Sequence, residues 1–393
     1  MERPKRACSS KRSTSTISKK QRNESTNSKP SMTTFEVFSN ELIYSIFDYM
    51  DYIMIFKAFS QLNKRFSDLI KAYPSRMIDF PAWTSDKSMY LTIMNSERHR
   101  IQSIAIRGDR NIDIFLRTCC IDITFLCLES VTLRDLELKS VLPILSFLQT
   151  LPELHRLSLQ MEAIAVIGGE SLNMTAIYQM LLSFKFLKYL NASTNYRITE
   201  DTVFYINLPS ISNQETCNLE YLIVDHGIRI DEILSIINHT PKLHHLSLTS
   251  LNGGHIPLKD ISSRVPKLLE LTELIIHDSS LNVEDFESLL TAFGCRLKTL
   301  EIETDSYASF CIDEQWEKLL NTTLSDLNIF GIQFNKQKPA DEFDEDEDDE
   351  AEIECRIQSS LDFMCDSFWY DNGWTADIYV FTNSVQAVFR RSR

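Results

Sequence analysis

One short apolar phrase recurs along most of the chain and limits what it can fold into. Its form is apolar-x-x-apolar-x-apolar. It occurs as Ile101/Ile104/Ile106, Ile123/Leu126/Leu128, Leu154/Leu157/Leu159, Leu187/Leu190/Ala192 and Leu219/Leu222/Val224. It continues as Leu243/Leu246/Leu248, Leu271/Leu274/Ile276, Leu297/Leu300/Ile302 and Leu324/Leu327/Ile329. The starts lie 22, 31, 33, 32, 24, 28, 26 and 27 residues apart. Self-similarity at such a period marks stacked supersecondary units. The last two apolar positions of the phrase alternate with other residues, which predicts a short strand with one buried face.

The segments between phrases predict helices over 175–186, 231–238, 283–293 and 313–320. Asn282 is a predicted N-cap, with Glu284 and Asp285 in the first turn where the helix dipole favours acid. A unit of strand, loop and helix cannot bury its apolar side alone, whereas stacked neighbours bury it together. The expected fold class is α/β, with a solenoid over residues 76–334. Its parallel strands would lie on the concave face and its helices outside. An ordinary α/β domain, the competing reading, does not repeat one phrase nine times.

Composition matters most at the two ends. Residues 1–34 carry nine Lys or Arg among Ser, Thr, Asn and Pro, which predicts a disordered basic tail. Lys5-Arg6 and Lys19-Lys20-Gln21-Arg22 are close to a bipartite nuclear-import pattern, and a generic basic arm fits them equally. From Asp341 to Glu354 eleven of fourteen residues are acidic, so 335–356 reads as a solvated acidic loop. Beyond it, residues 357–393 predict strands at Leu361-Asp362-Phe363 and Ala376 to Phe381. Phe368, Trp369, Tyr370 and Trp374 between them read as an aromatic cap over the last repeat.

The net charge is −15, which disfavours nucleic acid as a partner. No apolar run approaches the ~18–20 residues of a membrane span, so no membrane partner is expected. The nine cysteines include no Cys-x-x-Cys pair and read as reduced thiols, consistent with cytoplasm or nucleus. No nucleophile elbow, phosphate loop or zinc-protease motif is present, so no enzyme, cofactor or metal is expected. His226 and His277, beside Asp225 and Asp278, read as surface polar pairs.

Residues 35–75 have a different pattern. Phe38, Leu42, Ile43, Ile46, Phe47 and Met50 recur at helical spacing. A second apolar run covers 53–59, and a third contains Leu62, Phe66, Leu69 and Ile70, ended by Pro74. Three short helices fit. The stretch Phe38-Ser39-Asn40-Glu41-Leu42 and onward to Asp51 resembles the start of an F-box. Glu41, Leu42, Ile46, Phe47 and Asp51 agree with that family. Leu62-Asn63-Lys64-Arg65-Phe66 stands where the family has Val-Cys-(Lys/Arg)-Arg-Trp, and Ser39 stands where it has Pro. F-boxes are often followed by leucine-rich repeats, as the phrase is here. The resemblance implies a substrate receptor of an SCF-type cullin–RING ubiquitin ligase. Phe38, Ser39, Leu42, Ile46, Phe47 and Met50 would bind a Skp-type adaptor and, through it, the cullin. A non-catalytic leucine-rich-repeat scaffold without ligase role is the alternative.

Residues flanking the second and third apolar positions should point out of the concave face. Tyr221, Asp225, His245, Glu273, Glu301, Glu303 and Asp326 are the expected substrate-binding residues, with Asn328 and Phe330 beside the last. Arg107, Arg156, Ser158 and Gln160 hold such places in the early repeats. Acidic side chains predominate, which predicts a protein partner with a basic segment. Simple solvation of strand faces accounts for the same residues.

Overall fold

The computed structural model describes residues 34–73, 77–80, 97–119, 124–162, 172–194, 204–209, 217–253, 268–304, 313–335 and 367–391, apart from isolated positions inside these spans and a few between them. The basic tail up to residue 33, the acidic loop from residue 336, Asn282, Leu361 and Phe363 lie outside the described residues. Asp362, expected in a strand, is helical.

The chain forms two compact units, residues 1–46 and 47–393. In the first, a 3-10 turn Thr34–Val37 leads into helix α1, Asn40–Phe47. The Ser39 hydroxyl accepts from the Leu42 N–H at 3.4 Å, which starts the helix. Ile43 is fully buried, while Phe38 and Leu42 are exposed.

The second unit begins with helices α2, Tyr52–Phe59, and α3, Lys64–Ala72. Asp51 caps α2 by accepting from Met54 N–H at 2.9 Å. Asn63 caps α3 by accepting from Phe66 N–H at 3.1 Å. Phe47, Phe59, Phe66 and Tyr73 form an aromatic core. Ring centroids are 5.1 Å apart for Phe47 and Phe59, 5.4 Å for Phe47 and Tyr73, and 5.5 Å for Phe59 and Phe66. Such pairs are favourable beyond the area they bury.

A twelve-stranded, mostly parallel sheet follows. Its strands are β1 (Met77–Phe80), β2 (Ser103–Arg107), β3 (Ser130–Glu137), β4 (Arg156–Glu162), β6 (Tyr189–Thr194), β8 (Tyr221–Arg229), β9 (His245–Asn252), β10 (Glu273–Ser279), β11 (Thr299–Thr304), β12 (Ile329–Asn335), β13 (Trp374–Val380) and β14 (Ser384–Arg391). Two short strands, β5 (Leu172–Asn173) and β7 (Phe204–Tyr205), pair separately. The ten strands from β1 to β12 run parallel in chain order, and β14 then β13 close the sequence antiparallel. The sheet does not close on itself. Helices Asp109–Cys119, Leu138–Leu148, Thr175–Leu182, Ile230–His239, Val283–Phe293 and Asp313–Thr322 lie between strands in the chain.

The strand register aligns the repeats. Ile104, Val131, Leu157, Leu190, Leu222, Leu246, Leu274, Leu300 and Phe330 form one row across the sheet, and all are buried. Seven phrases lie in this register, while two are displaced. The expected Ile123/Leu126/Leu128 is replaced by Leu128/Val131/Leu133, which leaves Leu126 59% exposed. The expected Leu324/Leu327/Ile329 is replaced by Leu327/Phe330/Ile332. Asp326 therefore lies in the turn before β12 and not on a strand face. Phe330 points into the core and not outward. An odd displacement exchanges the two faces of a strand, so pairing with buried neighbours selects the register that hides Val131 and Phe330.

At the C-terminal end, Phe330 stacks on Trp369 at 5.5 Å and on Phe389 at 5.7 Å, and Trp369 lies 4.0 Å from Phe389. Trp316, from the preceding helix, reaches Phe330 at 4.7 Å. No helix among the described residues is long and apolar enough to cross a membrane.

Candidate functional site

The alternation that buries one side of each strand leaves a second, open face on β2–β12. Hydrogen-bonded strands lie ~4.8 Å apart, so residues at the same register position stack into ladders. The first ladder runs through Arg156, Tyr189, Tyr221, His245 and Glu273. The Arg156 guanidinium lies 4.6 Å from the Tyr189 ring centroid, a cation–π contact. Tyr189 and Tyr221 are 6.4 Å apart, and Tyr221 and His245 are 5.8 Å apart. His245 Nδ1 lies 2.9 Å from a Glu273 carboxylate oxygen. Tyr221 keeps 44% of its surface exposed.

The central ladder passes through Ile223, Ser247, Ile275, Glu301 and Gly331. Gly331 has a local reason: a Cβ there would stand 3.1 Å from Glu301 Cγ. The third ladder includes Arg107, Arg134, Gln160, Ser193 and Asp225, with Glu303 and Gln333 farther along. Thr249 donates to Asp225 at 2.7 Å, and Gln333 donates to Glu303 at 3.1 Å. His277 Nδ1 lies 3.4 Å from Glu303. That hydrogen bond, opposed in part by burial, raises the imidazole pKa above its ordinary value.

Bulges end several of these strands. One extra residue enters β3 after Leu133, β8 after Val224 and β10 after Ile276. Asp135 and Asp278 adopt positive φ, 55° and 53°, in two of them. Aspartate tolerates this region better than most residues. In the first bulge Asp135 meets Arg107 at 2.9 Å.

The structure thus brings Tyr221, Asp225, His245, Glu273, Glu301 and Glu303 onto one face. Asp326 is separate from them. With Arg296, Thr323 and Ser325 it lines a cavity of about 350 Å³ beside the turn. Tyr189 and Arg134 are among the members of the face missed in the sequence. Tyr189 holds the same place in its phrase as Tyr221, and that equivalence is visible. Arg134 was hidden by the displaced second phrase.

His226 departs from expectation. It is buried, not a surface partner of Asp225. Its Nδ1–H donates to the Gly227 carbonyl at 2.9 Å, and its Nε2 accepts from the Tyr178 hydroxyl at 2.6 Å. Burial pushes the His226 pKa down and the Tyr178 pKa far up. Strict alternation from Leu222 and Val224 would have placed His226 inward.

The adaptor-binding set divides by burial. In the first unit Phe38 and Leu42 are 39% and 54% exposed, Ser39 is exposed and Ile46 is half-buried. In the second unit Met50 is half-buried, while Phe47 is wholly enclosed in the aromatic core. Phe47 therefore lies behind the surface and not on it. Among the described residues, no three His, Cys, Asp or Glu side chains gather as metal ligands. Compared with known proteins, the chain matches no family model and no curated protein.

Proposed function

We propose that the chain is the substrate-recognition subunit of an SCF-type cullin–RING ubiquitin ligase. Residues 35–75 act as the F-box and take a Skp-type adaptor through Phe38 and Leu42. The parallel sheet and its helices form a leucine-rich-repeat solenoid whose open, concave face takes a protein substrate. The chain itself breaks no bond. It holds a target lysine near a ubiquitin-charged enzyme and so raises the effective concentration of the reaction partners.

The observation that carries this reading is order. A segment with the F-box pattern is followed directly by parallel strands stacked in chain order, with a polar and aromatic face open. Exposed apolar side chains at Phe38 and Leu42 add support, because buried apolar anchors dominate interfaces of this kind. Co-purification of the intact chain with a Skp adaptor tests it. The intact chain is expected to retain the adaptor, and a Leu42→Asp chain to lose it. Since Leu42 is exposed, that change leaves the fold intact. Failure of the intact chain to retain the adaptor would refute the reading.

One observation favours a repeat scaffold without ligase role. Ser39 replaces the docking proline of the family, and its hydroxyl is engaged in starting α1. The same co-purification separates the two readings.

A further inference from the structure

The sheet ends on β13, and among the described residues no strand pairs with its outer edge. The hairpin it forms with β14 fixes which backbone groups that edge presents. Phe381 N–H donates to the Ser384 carbonyl at 2.9 Å across the turn. Opposed residues of an antiparallel pair alternate between hydrogen-bonded and not. Counting back from Phe381, the residues bonded to β14 are Tyr379, Asp377 and Thr375, opposite Gln386, Val388 and Arg390. Ala376, Ile378 and Val380 therefore turn their N–H and C=O groups outward.

The side chains of these three share the face that holds Trp374. Trp369 covers Trp374, with ring centroids 6.3 Å apart. Farther along, Ile378 is half-buried and Val380 is 58% exposed. Edges that stay single are usually blunted by lysine, proline, a bulge or an inward-pointing charge. β13 has none of these. Its pairing on β14 is unbroken, and its one charge, Asp377, lies on the opposite face in an ion pair with Arg390.

We propose that β13 is a dimerisation edge, which takes β13 of a second copy antiparallel about a two-fold axis at Ile378. The register follows from charge and from the outward groups. Centred on Ile378, the seam pairs Ile378 with itself and Ala376 with Val380 of the partner subunit. All three outward residues then meet outward residues, and each pair exchanges two N–H···O bonds. The same pairs bury the aliphatic surface of Ile378 and Val380. On the other face Asp377 lies opposite a tyrosine. A seam centred on Asp377 would set two carboxylates directly opposite each other, which is destabilising. One centred on Tyr379 would leave Ala376 unpaired with either Ile378 or Val380. The remaining edge, β1, is only four residues long and carries Asp79. Joining it to β13 would leave a free edge at each end and build an open fibre, whereas β13 on itself closes.

The test is sedimentation of the full chain over a dilution series. The unaltered chain should approach twice its mass of 45.5 kDa at the highest concentration and go no further. Ile378→Pro removes one outward N–H in each copy and leaves the bonds to β14 in place. It should weaken the dimer about tenfold or more. Val380→Lys, at an exposed position, should do the same, and both variants should keep the circular dichroism of the parent. Met77→Lys, on β1, should leave the dimer unchanged. The inference is independent of the ligase reading, so Leu42→Asp should also leave it unchanged. A chain that stays monomeric throughout the series would overturn the inference, as would growth beyond two copies. Loss of the dimer in Met77→Lys or Leu42→Asp, with Ile378→Pro and Val380→Lys still dimeric, would place the contact elsewhere and overturn it as well.

Discussion

Tyr178 and His226 illustrate how a single buried polar pair is held. The Nδ1–H bond to Gly227 fixes the ring as the neutral tautomer that accepts from Tyr178. Because burial lowers the folded-state pKa of His226, the unfolded chain binds a proton more readily. The pair's contribution to stability is therefore complete above the unfolded value of about 6.5 and is lost as pH falls towards the lower folded value. His277 works in the other direction, with a raised folded pKa, but it is half exposed and acts more weakly. Urea denaturation should show less stability at pH 5.5 than at pH 7.5, with a smaller fall in a His226→Gln chain. Tyr178→Phe leaves Nε2 without its donor and should cost about 1–3 kcal/mol at pH 7.5. An unchanged midpoint for Tyr178→Phe would contradict the geometry.

Among the elements, strand register is where sequence and structure part. The phrase identifies seven strands correctly because its apolar positions fit only one pairing there. In the second unit Ile123/Leu126/Leu128 satisfies the same pattern as Leu128/Val131/Leu133, and only the neighbours β2 and β4 decide between them. In the last unit an aromatic, Phe330, occupies the aliphatic position, so a search for Leu and Ile passes over it. β1 pairs through only four residues, Met77 to Phe80, too short a run to be noticed. Ser39 and Asn63, read as departures from the family pattern, serve local ends as helix starters. The face residues followed from the same alternation, so Tyr221 and Glu301 were legible while Arg134 was not. The register makes a sharp prediction for thermal or urea unfolding. Leu128→Ala and Leu133→Ala should each cost about 2–5 kcal/mol. Leu126→Ala, exposed, should stay within about 0.5 kcal/mol. Equal costs at 126 and 128 would restore the original phrase.

For the whole repeat sheet, each strand pairs only with its neighbours in the order given by the chain. Energetic coupling should follow that order. Leu274 and Leu300 face each other across adjacent strands, so their alanine variants should couple by about 0.5–3 kcal/mol in a double-mutant cycle. Leu157 on β4 and Leu300 on β11 are separated by four strands, and their effects should add to within about 0.3–0.5 kcal/mol. Non-additivity as large for the distant pair as for the adjacent one would mean that the sheet behaves as one indivisible core.

The reversal of direction at β14 has a consequence for the ancestry of such a chain. A parallel strand can be joined to its neighbour only through a long crossover, and every repeat supplies one. Beyond β12 the next strand runs antiparallel, under the stacked rings of Trp369 and Phe389. A duplicated repeat appended there would meet a strand of the wrong polarity and displace those rings. Gain or loss of repeats is therefore expected in the interior between β1 and β12, where an inserted unit finds parallel neighbours on both sides. Relatives of different length should differ in the middle and share their final two strands.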